Sequence, residues 1–171
     1  KPAQLSNEII SHEDWLQTIL AAAGEPDIKE KLLDGYSAGG KKFKVHLDGY
    51  NFLPYLTGRE TKGPREVFYA FVDDGSLGAV RYRDYKFNLT TQTHHGIGAW
   101  FFGQENRKAP LIINLRADPF ESAPVDSAYY DDWLVRHMFI MVPLKDLVAK
   151  HMATYKEFPP RQEGGSFTPK Q

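Results

Sequence analysis

Residues 66–92 carry the pattern that most constrains the fold, because the period of the sequence changes there from helical to two. Two runs of mostly apolar residues, 67–72 and 77–82, flank an Asp-Asp-Gly-Ser loop at 73–76. A short glycine-bearing loop between two such runs is typical of a β-hairpin. A turn at 83–84 leads into a third run at 85–89, and 111–115 has the composition of a fourth strand. The segment therefore predicts an antiparallel meander.

Helical periodicity precedes this meander. Trp15, Leu16, Ile19, Leu20 and Ala23 recur at helical spacing, after a Ser-x-x-Asp sequence at 11–14 that resembles a capping box. Glycine at 24 ends this first helix. A second short helix is predicted over 27–33, a flexible loop over 37–42 and a short strand over 43–47.

Helical periodicity also follows the meander, over residues 130–155. The recurring residues are Tyr130, Trp133, Leu134, His137, Met138, Met141, Leu144, Leu147, Val148, Met152 and Tyr155. We expect this stripe to lie against one face of the sheet. The predicted fold class is α+β, with a four-stranded antiparallel sheet covered on one face by a long C-terminal helix, and with a helical segment at the N-terminal end.

Charge balance and residue types exclude several functions. With 21 Lys plus Arg against 22 Asp plus Glu, the net charge of -1 gives no electrostatic reason to expect nucleic acid or an anionic membrane as a partner. No stretch reaches the roughly 18 consecutive apolar residues of a membrane span. The chain has no cysteine, so disulfides, thiolate metal sites and a cysteine nucleophile are excluded.

Two residue pairs suggest a metal site at first reading. Asp73-Asp74 could bind a hard cation, but Asp-Gly chemistry also forms hairpin loops, and the matched strand that follows favours the turn. His94-His95 are neighbours whose side chains point in different directions, and no further ligand type lies at a regular spacing from them. We therefore predict no metal ligand and no catalytic residue from either pair.

The stretch from 90 to 110 has no clear periodicity and is predicted to be one long loop. Loops of this length in a compact domain are usually functional or disordered. His94, His95 and Trp100 lie in it, with Phe101 and Phe102 beside them. Contact with a substrate or a partner domain is the role that these residue types favour. We take the two histidines and Trp100 as candidate substrate-cleft contacts.

Four stretches resemble short sequence motifs of the sulfatase family, here called phrases, and they occur in the same order as in the family. Residues 11–26 (SHEDWLQTILAAAGEP) resemble its D-x-x-P-T-x-L-x-x-A-G helix, and 48–58 (DGYNFLPYLTG) are similar to D-G-x-S-L-x-P-L-L-x-G. Residues 79–87 (AVRYRDYKF) match A-V-R-x-G-x-x-K, and 114–121 (NLRADPFE) resemble D-L-x-x-D-P-x-E. The ending at 155–162 (YKEFPPRQ) resembles the bacterial arylsulfatase subgroup. Gln17 replaces the family's proline, and Arg83 replaces a glycine.

The resemblance implies hydrolysis of a sulfate ester by a formylglycine, made from Cys or Ser in a C/S-x-P-S-R motif and assisted by Ca²⁺. The nearest serine pattern here, Ser122-Ala123-Pro124, lacks the required Ser-Arg. The family's metal carboxylates belong to a large N-terminal α/β domain, so Asp73 and Asp74 do not inherit that role. No catalytic or metal residue is carried over, and neither calcium nor formylglycine is expected in this segment.

We therefore expect the C-terminal segment of a bacterial arylsulfatase, inactive alone. The start at Lys1-Pro2, without Met, resembles a cut end. The expected organisation is a helical segment over 1–42 that continues from the missing catalytic domain, an α+β subdomain over 43–160 and a flexible tail over 161–171. By the same resemblance, the parent is expected to be a periplasmic or secreted enzyme. In it, the sheet and the loop 90–110 would close one side of the cleft for the sulfate-ester substrate.

Other readings of the same residues stay open. An aromatic content of 13% also suits a stand-alone binding or interaction module without chemistry of its own, with a sheet and loop that bind a carbohydrate or a partner surface. The first helix carries apolar residues on more than one side, so its outer side is expected to pack on the catalytic domain of the same protein. In the isolated chain that side is expected to form a homodimer contact or to be held loosely, and the alternative is that the helix packs onto the sheet of its own chain.

Overall fold

The computed structural model describes residues 5–161. These residues divide into two compact units, one that extends to Glu66 and includes Thr154–Pro159, and one that holds Val67–Ala153. The tail predicted over 161–171 lies, except for its first residue, outside the described residues. The domain boundary predicted at residue 42 stays a prediction. Within residues 5–161, no helix is both long and apolar enough to cross a bilayer.

The first unit begins with two helices and a small hairpin. The helices are α1 (Asp14–Ala22) and α2 (Ile28–Asp34), and the hairpin pairs β1 (Tyr36–Ala38) with β2 (Lys41–Phe43) before the short helix α3 (Leu53–Leu56). The predicted loop over 37–42 and strand over 43–47 are wrong. Gly39 and Gly40 both adopt positive φ, 56° and 76°, which closes a two-residue hairpin turn. Residues 44–47, within the described part of the chain, form no strand.

Helix α1 buries a stripe other than the apolar one that the sequence pattern picks out. Its inward residues are Asp14, Gln17, Thr18 and Ala21. Trp15, Leu16 and Ile19, by contrast, are 43%, 51% and 62% exposed. Both stripes have helical spacing, and polar partners elsewhere in the first unit decide which one is buried.

The second unit contains the predicted meander. Strands β3 (Val67–Phe71), β4 (Leu77–Tyr82), β5 (Tyr85–Thr91) and β6 (Glu105–Asn114) form one antiparallel sheet in the order β3-β4-β5-β6. The loop between β3 and β4 is a turn, as predicted. Its Gly75 has φ 82°, and the Asp74 carboxylate accepts a 2.8 Å hydrogen bond from the Ser76 amide. The α+β fold class is confirmed.

Helices cover one face of this sheet and form its core. Val80, Phe87 and Ile112 are fully buried beneath Leu144 of the covering layer. That layer is α6 (Tyr130–His137), a 3₁₀ turn (Met138–Ile140) and α7 (Met141–Thr154), rather than one uninterrupted helix. Burial of these apolar side chains is the main force that holds the layer to the sheet.

The 3₁₀ turn corrects one core assignment. Met138, which was expected on the buried stripe, is exposed, whereas Ile140 packs against the core cluster. Met152, expected on the same stripe, is exposed as well. A 3₁₀ turn has about 3.0 residues per turn instead of about 3.6, so it rotates the helical stripe out of the α-helical register. Between β6 and α6 lies one further short helix, α5 (Ala123–Asp126).

Candidate functional site

Strands β5 and β6 extend beyond the rest of the sheet as a two-stranded arm. After the pair Asn88–Leu111 the register shifts, and the pairing resumes at Thr90–Asn106 and Thr91–Glu105. The long loop predicted over 90–110 is therefore wrong at both ends. Backbone hydrogen bonds need no alternation of side chains, so the polar residues Glu105 and Asn106 pair as part of a strand although their sequence pattern does not show it. The connection that remains, 92–104, contains the short helix α4 (Gly98–Phe101).

The tip of the arm carries the three candidate contact residues. His94, His95 and Trp100 are all exposed, and Trp100 is 80% exposed. The His94 ring stacks on Phe102, with 4.1 Å between ring centroids and 17° between the planes. The backbone of His95 accepts a 3.2 Å hydrogen bond from the Gly98 amide, which starts α4. The structure thus joins His94 to Phe102 and keeps Trp100 apart on the outer side of α4.

This tip can present flat apolar rings but no reacting pair of groups. Ile97 and Phe101 are as exposed as Trp100, so the tip is an apolar surface formed by one helical turn. Aromatic surfaces of this kind contact rings of substrates or side chains of partners. Across residues 5–161, no group of three or more His, Asp or Glu side chains converges as a cation site. The residues present therefore do not fit a calcium ion.

A second group of polar residues lies in the first unit, and the sequence analysis missed it. Asp14 is fully buried and forms a two-pronged ion pair with Arg65, with Oδ1–Nη2 at 2.5 Å and Oδ2–Nε at 3.0 Å. The same carboxylate accepts 2.8 Å hydrogen bonds from the backbone amides of Ser11 and Tyr50. Asp14 was predicted as an acid in the first turn of a helix, where it lies, and it also links three segments of the chain.

Glu13 and Asp48 complete the charges around Arg65. Glu13 contacts the guanidinium at 2.6 Å and stays partly exposed. Partial burial raises the pKa of Glu13, and the charges of Asp48 and Asp14 act in the same direction against the opposing effect of Arg65. For Arg65, burial alone would lower the pKa, but the hydrogen bond to Asp14 and the charges of Glu13 and Asp14 outweigh it and raise the pKa.

Thr18 and Gly49 fix the segment 48–52 against α1. The Thr18 hydroxyl donates to the Asp14 carbonyl at 2.8 Å and accepts from the Phe52 amide at 2.9 Å. A Cβ at position 49 would lie 2.1 Å from the Glu13 carbonyl oxygen, so only glycine allows this approach. The polar spacing 14, 17, 18, 21 is helical and is the signal from which this contact could have been predicted.

Two polar links in the second unit tie the β4–β5 turn and strand β5 to the segment after β6. Lys86 on β5 contacts both carboxylate oxygens of Glu121, at 2.7 and 2.8 Å. Asp84 in the β4–β5 turn pairs with Arg116 at 3.0 Å. Arg83, in the same turn, has φ 52°, in the left-handed region that favours glycine. The carboxylate of Asp118 caps α5 by accepting from the amides at 122 and 123.

Comparisons with known proteins find structural similarity among solved structures. No protein-family model matches the chain, and no curated protein matches it. Among solved structures, the chain is similar to the PsFucS1 sulfatase from Pseudoalteromonas sp., with 24% sequence identity and a TM-score of 0.48. The similarity covers 70% of this chain and 23% of that one, so the chain spans less than a quarter of the sulfatase that it matches.

Proposed function

We propose that the chain is the C-terminal subdomain of a sulfuric ester hydrolase of the arylsulfatase class, and that it completes the fold and one wall of the substrate cleft. The observation that carries the proposal is that the residues resembling sulfatase phrases contact one another. In the first unit, Asp14 and Thr18 of the first phrase bind the amides of Tyr50 and Phe52 of the second.

The same correspondence holds in the second unit. Lys86, the lysine of the third phrase, pairs with Glu121, the glutamate of the fourth. Arg83 stands where the third phrase has glycine, and its positive φ is the conformation for which glycine is the default residue. Phrases that matched by chance would have no reason to place their shared residues in mutual contact. These contacts support a common fold, on which the proposed function rests.

The chemistry of hydrolysis is assigned to the rest of the parent enzyme. A formylglycine would supply the nucleophile and Ca²⁺ would bind the sulfate there, because residues 5–161 have no group of side chains that fits a cation. The role of this chain is to shape the entrance. His94, His95 and Trp100 at the tip of the β5–β6 arm are the proposed contacts with the sulfate-ester substrate.

The outer face of α1 is the proposed contact with the catalytic part of the same protein. Trp15, Leu16 and Ile19 on this face are substantially exposed. In the isolated chain the same face would pair with a second copy, because a two-fold dimer lets one apolar patch cover its equal. Sedimentation at several concentrations tests the dimer. Ile19→Ser, on the proposed contact face, should weaken it, and Val125→Ser, at an exposed position elsewhere, is the control and should not. A strict monomer contradicts it.

The proposed function is tested with a chromogenic aryl sulfate. The chain alone should give no turnover with or without Ca²⁺, whereas the catalytic part of the parent should become active only when this chain is co-expressed with it. In that complex, Trp100→Ala should raise KM at least threefold with little change in kcat, and Val125→Ala should leave both unchanged. Calcium-dependent turnover by the chain alone, or full activity without it, refutes the assignment.

A second candidate is a stand-alone binding module. The exposed rings at the tip of the arm favour it, since monomeric domains rarely keep such a surface without a partner. The two candidates differ in what precedes the chain in its reading frame. A C/S-x-P-S-R motif and an Asp-Asp pair upstream favour the hydrolase, and a start codon close to Lys1 favours the module.

A further inference from the structure

The sheet has a second face, opposite its core. The cross-strand row Tyr69–Val80–Phe87–Ile112 faces the helices, and the next row, Ala70–Ala79–Asn88–Leu111, is one residue away on every strand. Successive side chains of a strand point to opposite faces, so this second row lies on the face away from the helices. A cavity of about 280 Å³ opens on this face, at the base of the β5–β6 arm.

Small residues make the floor of this cavity. Ala70, Gly78 and Ala79 line it where larger side chains would fill the space. A Cβ at position 78 would lie 2.6 Å from a methyl group of Val72 and 3.4 Å from the Thr90 hydroxyl. The depression thus depends on the absence of a side chain at Gly78, in the middle of a strand, where glycine otherwise weakens the sheet.

The polar side chains that line the cavity are all uncharged. They comprise three amides and two hydroxyls, namely Asn88, Gln92, Gln104, Thr90 and Thr91. No Asp, Glu, Lys, Arg or His lines the cavity. This set offers both donors and acceptors, of which the Thr90 hydroxyl already donates to Gln104 and the Thr91 hydroxyl accepts from Arg107 at 3.2 Å.

One of these amides is only half satisfied. The Gln92 side-chain nitrogen donates to the Ala99 carbonyl at 3.4 Å, but the Gln92 side-chain oxygen is buried and has no hydrogen-bond partner within residues 5–161. Buried polar atoms in native proteins nearly always have a partner, and an unpaired one calls for an explanation. This oxygen has no surface accessible to solvent, so a ligand would reach it only if the Gln92 side chain turned toward the cavity.

We propose that this cavity is a binding site for a single uncharged, hydroxyl-rich ring, a pyranose unit of a glycan. Sugar hydroxyls donate and accept at once, which matches amides and threonines, and the apolar floor suits the C–H face of the ring. The volume lies just below the about 300 Å³ at which ligand pockets begin, enough for one ring. This proposal does not depend on the proposed sulfate-ester hydrolysis, because none of the proposed substrate contacts lines the cavity.

The test is a titration of the isotope-labelled full chain with methyl glucoside, methyl galactoside and methyl mannoside, followed through the side-chain amide signals of Asn88, Gln92 and Gln104. At least one glycoside should shift these signals saturably. A ligand of about a dozen non-hydrogen atoms reaches a dissociation constant of about 1 mM at ordinary ligand efficiency. Sodium sulfate, titrated in parallel, should not shift them.

Variants separate the cavity from the surrounding surface. Asn88→Leu should weaken binding at least tenfold, and Gln104→Leu, at an exposed position, gives a second test that does not burden folding. Asn106→Leu makes the same change on β6 outside the cavity and should leave the dissociation constant within twofold. Three results each overturn the proposal: no saturable shift at tenfold the expected dissociation constant, equal binding by Asn88→Leu and wild type, or stronger shifts with sulfate than with every glycoside.

Discussion

Replacing Asp14 by Asn tests whether the burial of the polar face of α1 depends on the ion pair between Asp14 and Arg65. Asparagine has the same size and shape, so the substitution changes charge and hydrogen bonding but not volume. The adjacent change Glu13→Gln is the matched control, because Glu13 contacts the same guanidinium from a partly exposed position. Both variants remove one negative charge from Arg65, and they differ in the burial of that charge.

The structure predicts very different losses of stability for the two substitutions. Asp14 is fully buried and accepts four hydrogen bonds, from Arg65 Nε and Nη2 and from the amides of Ser11 and Tyr50. Breaking a buried ion pair while one partner stays buried costs about 3–5 kcal/mol. Partly exposed pairs such as Glu13–Arg65 contribute about 0–1 kcal/mol. We therefore expect Asp14→Asn to destabilise the first unit several times more than Glu13→Gln.

Hydrogen exchange at the Tyr50 and Phe52 amides is the most direct assay. Both amides are fixed by α1 side chains, the first by Asp14 and the second by Thr18. A loss of about 3–5 kcal/mol corresponds to exchange faster by about two to three and a half orders of magnitude when opening precedes exchange. Amides of β4 and β5, in the second unit, serve as the internal reference and should keep their protection.

Two results would refute the reasoning. If Asp14→Asn and Glu13→Gln accelerate Tyr50 exchange equally, the buried carboxylate has no special role. If Asp14→Asn leaves the exchange unchanged, the orientation of α1 is set by other contacts. Arg65→Met, which removes the buried cation, should approach the effect of Asp14→Asn, and the double variant should cost less than the sum, because neither partner is then left unpaired.

Three further outcomes follow from the packing and the charges. Tyr130→Phe should cost about 1 kcal/mol in urea unfolding through the lost 2.9 Å bond to a strand carbonyl, and Tyr129→Phe, at an exposed position, should cost nothing measurable. Leu144→Ala should lower the free energy of unfolding by about 2–5 kcal/mol, whereas Val142→Ala, at an exposed position, should lower it by about 0.5 kcal/mol or less. Equal urea midpoints for the two variants would show that α7 is not docked on the sheet. The pKa of Glu13 in the folded state is raised above its ordinary 4.5, so the folded state binds the proton more tightly than the unfolded state does. The free energy of unfolding should therefore fall as pH rises through the window just above 4.5. The pH dependence of the stability of Glu13→Gln should be flatter in that window.

The meander could be predicted from the sequence because its information is local. The strand β4 occurs at the predicted residues 77–82, and the turn before it uses the predicted glycine. Alternation and turn chemistry act within a few residues, so one chain suffices to read them. The helices over the sheet were predicted for the same reason, apart from the 3₁₀ turn that exposes Met138.

The buried stripe of α1 could not be chosen from the sequence in this way. Two stripes of helical spacing compete there, and the choice depends on Arg65, which lies 51 residues from Asp14 along the chain. Nothing near Arg65 in the sequence marks it as a partner of α1. The cavity on the outer sheet face escaped prediction for a related reason, since its residues come from all four strands and meet only through the register of the sheet.

The orientation of α1 also sets the order of events during synthesis. Arg65 leaves the ribosome 51 residues after Asp14, a delay of about 3–10 s at about 5–20 residues per second. Throughout that interval the carboxylate has no guanidinium to pair with, and the amides of Tyr50 and Phe52 arrive only near its end. The helix therefore cannot dock on these partners until residue 65 has emerged, so its exposed Trp15–Leu16 stripe is present on the nascent chain before the polar stripe is buried.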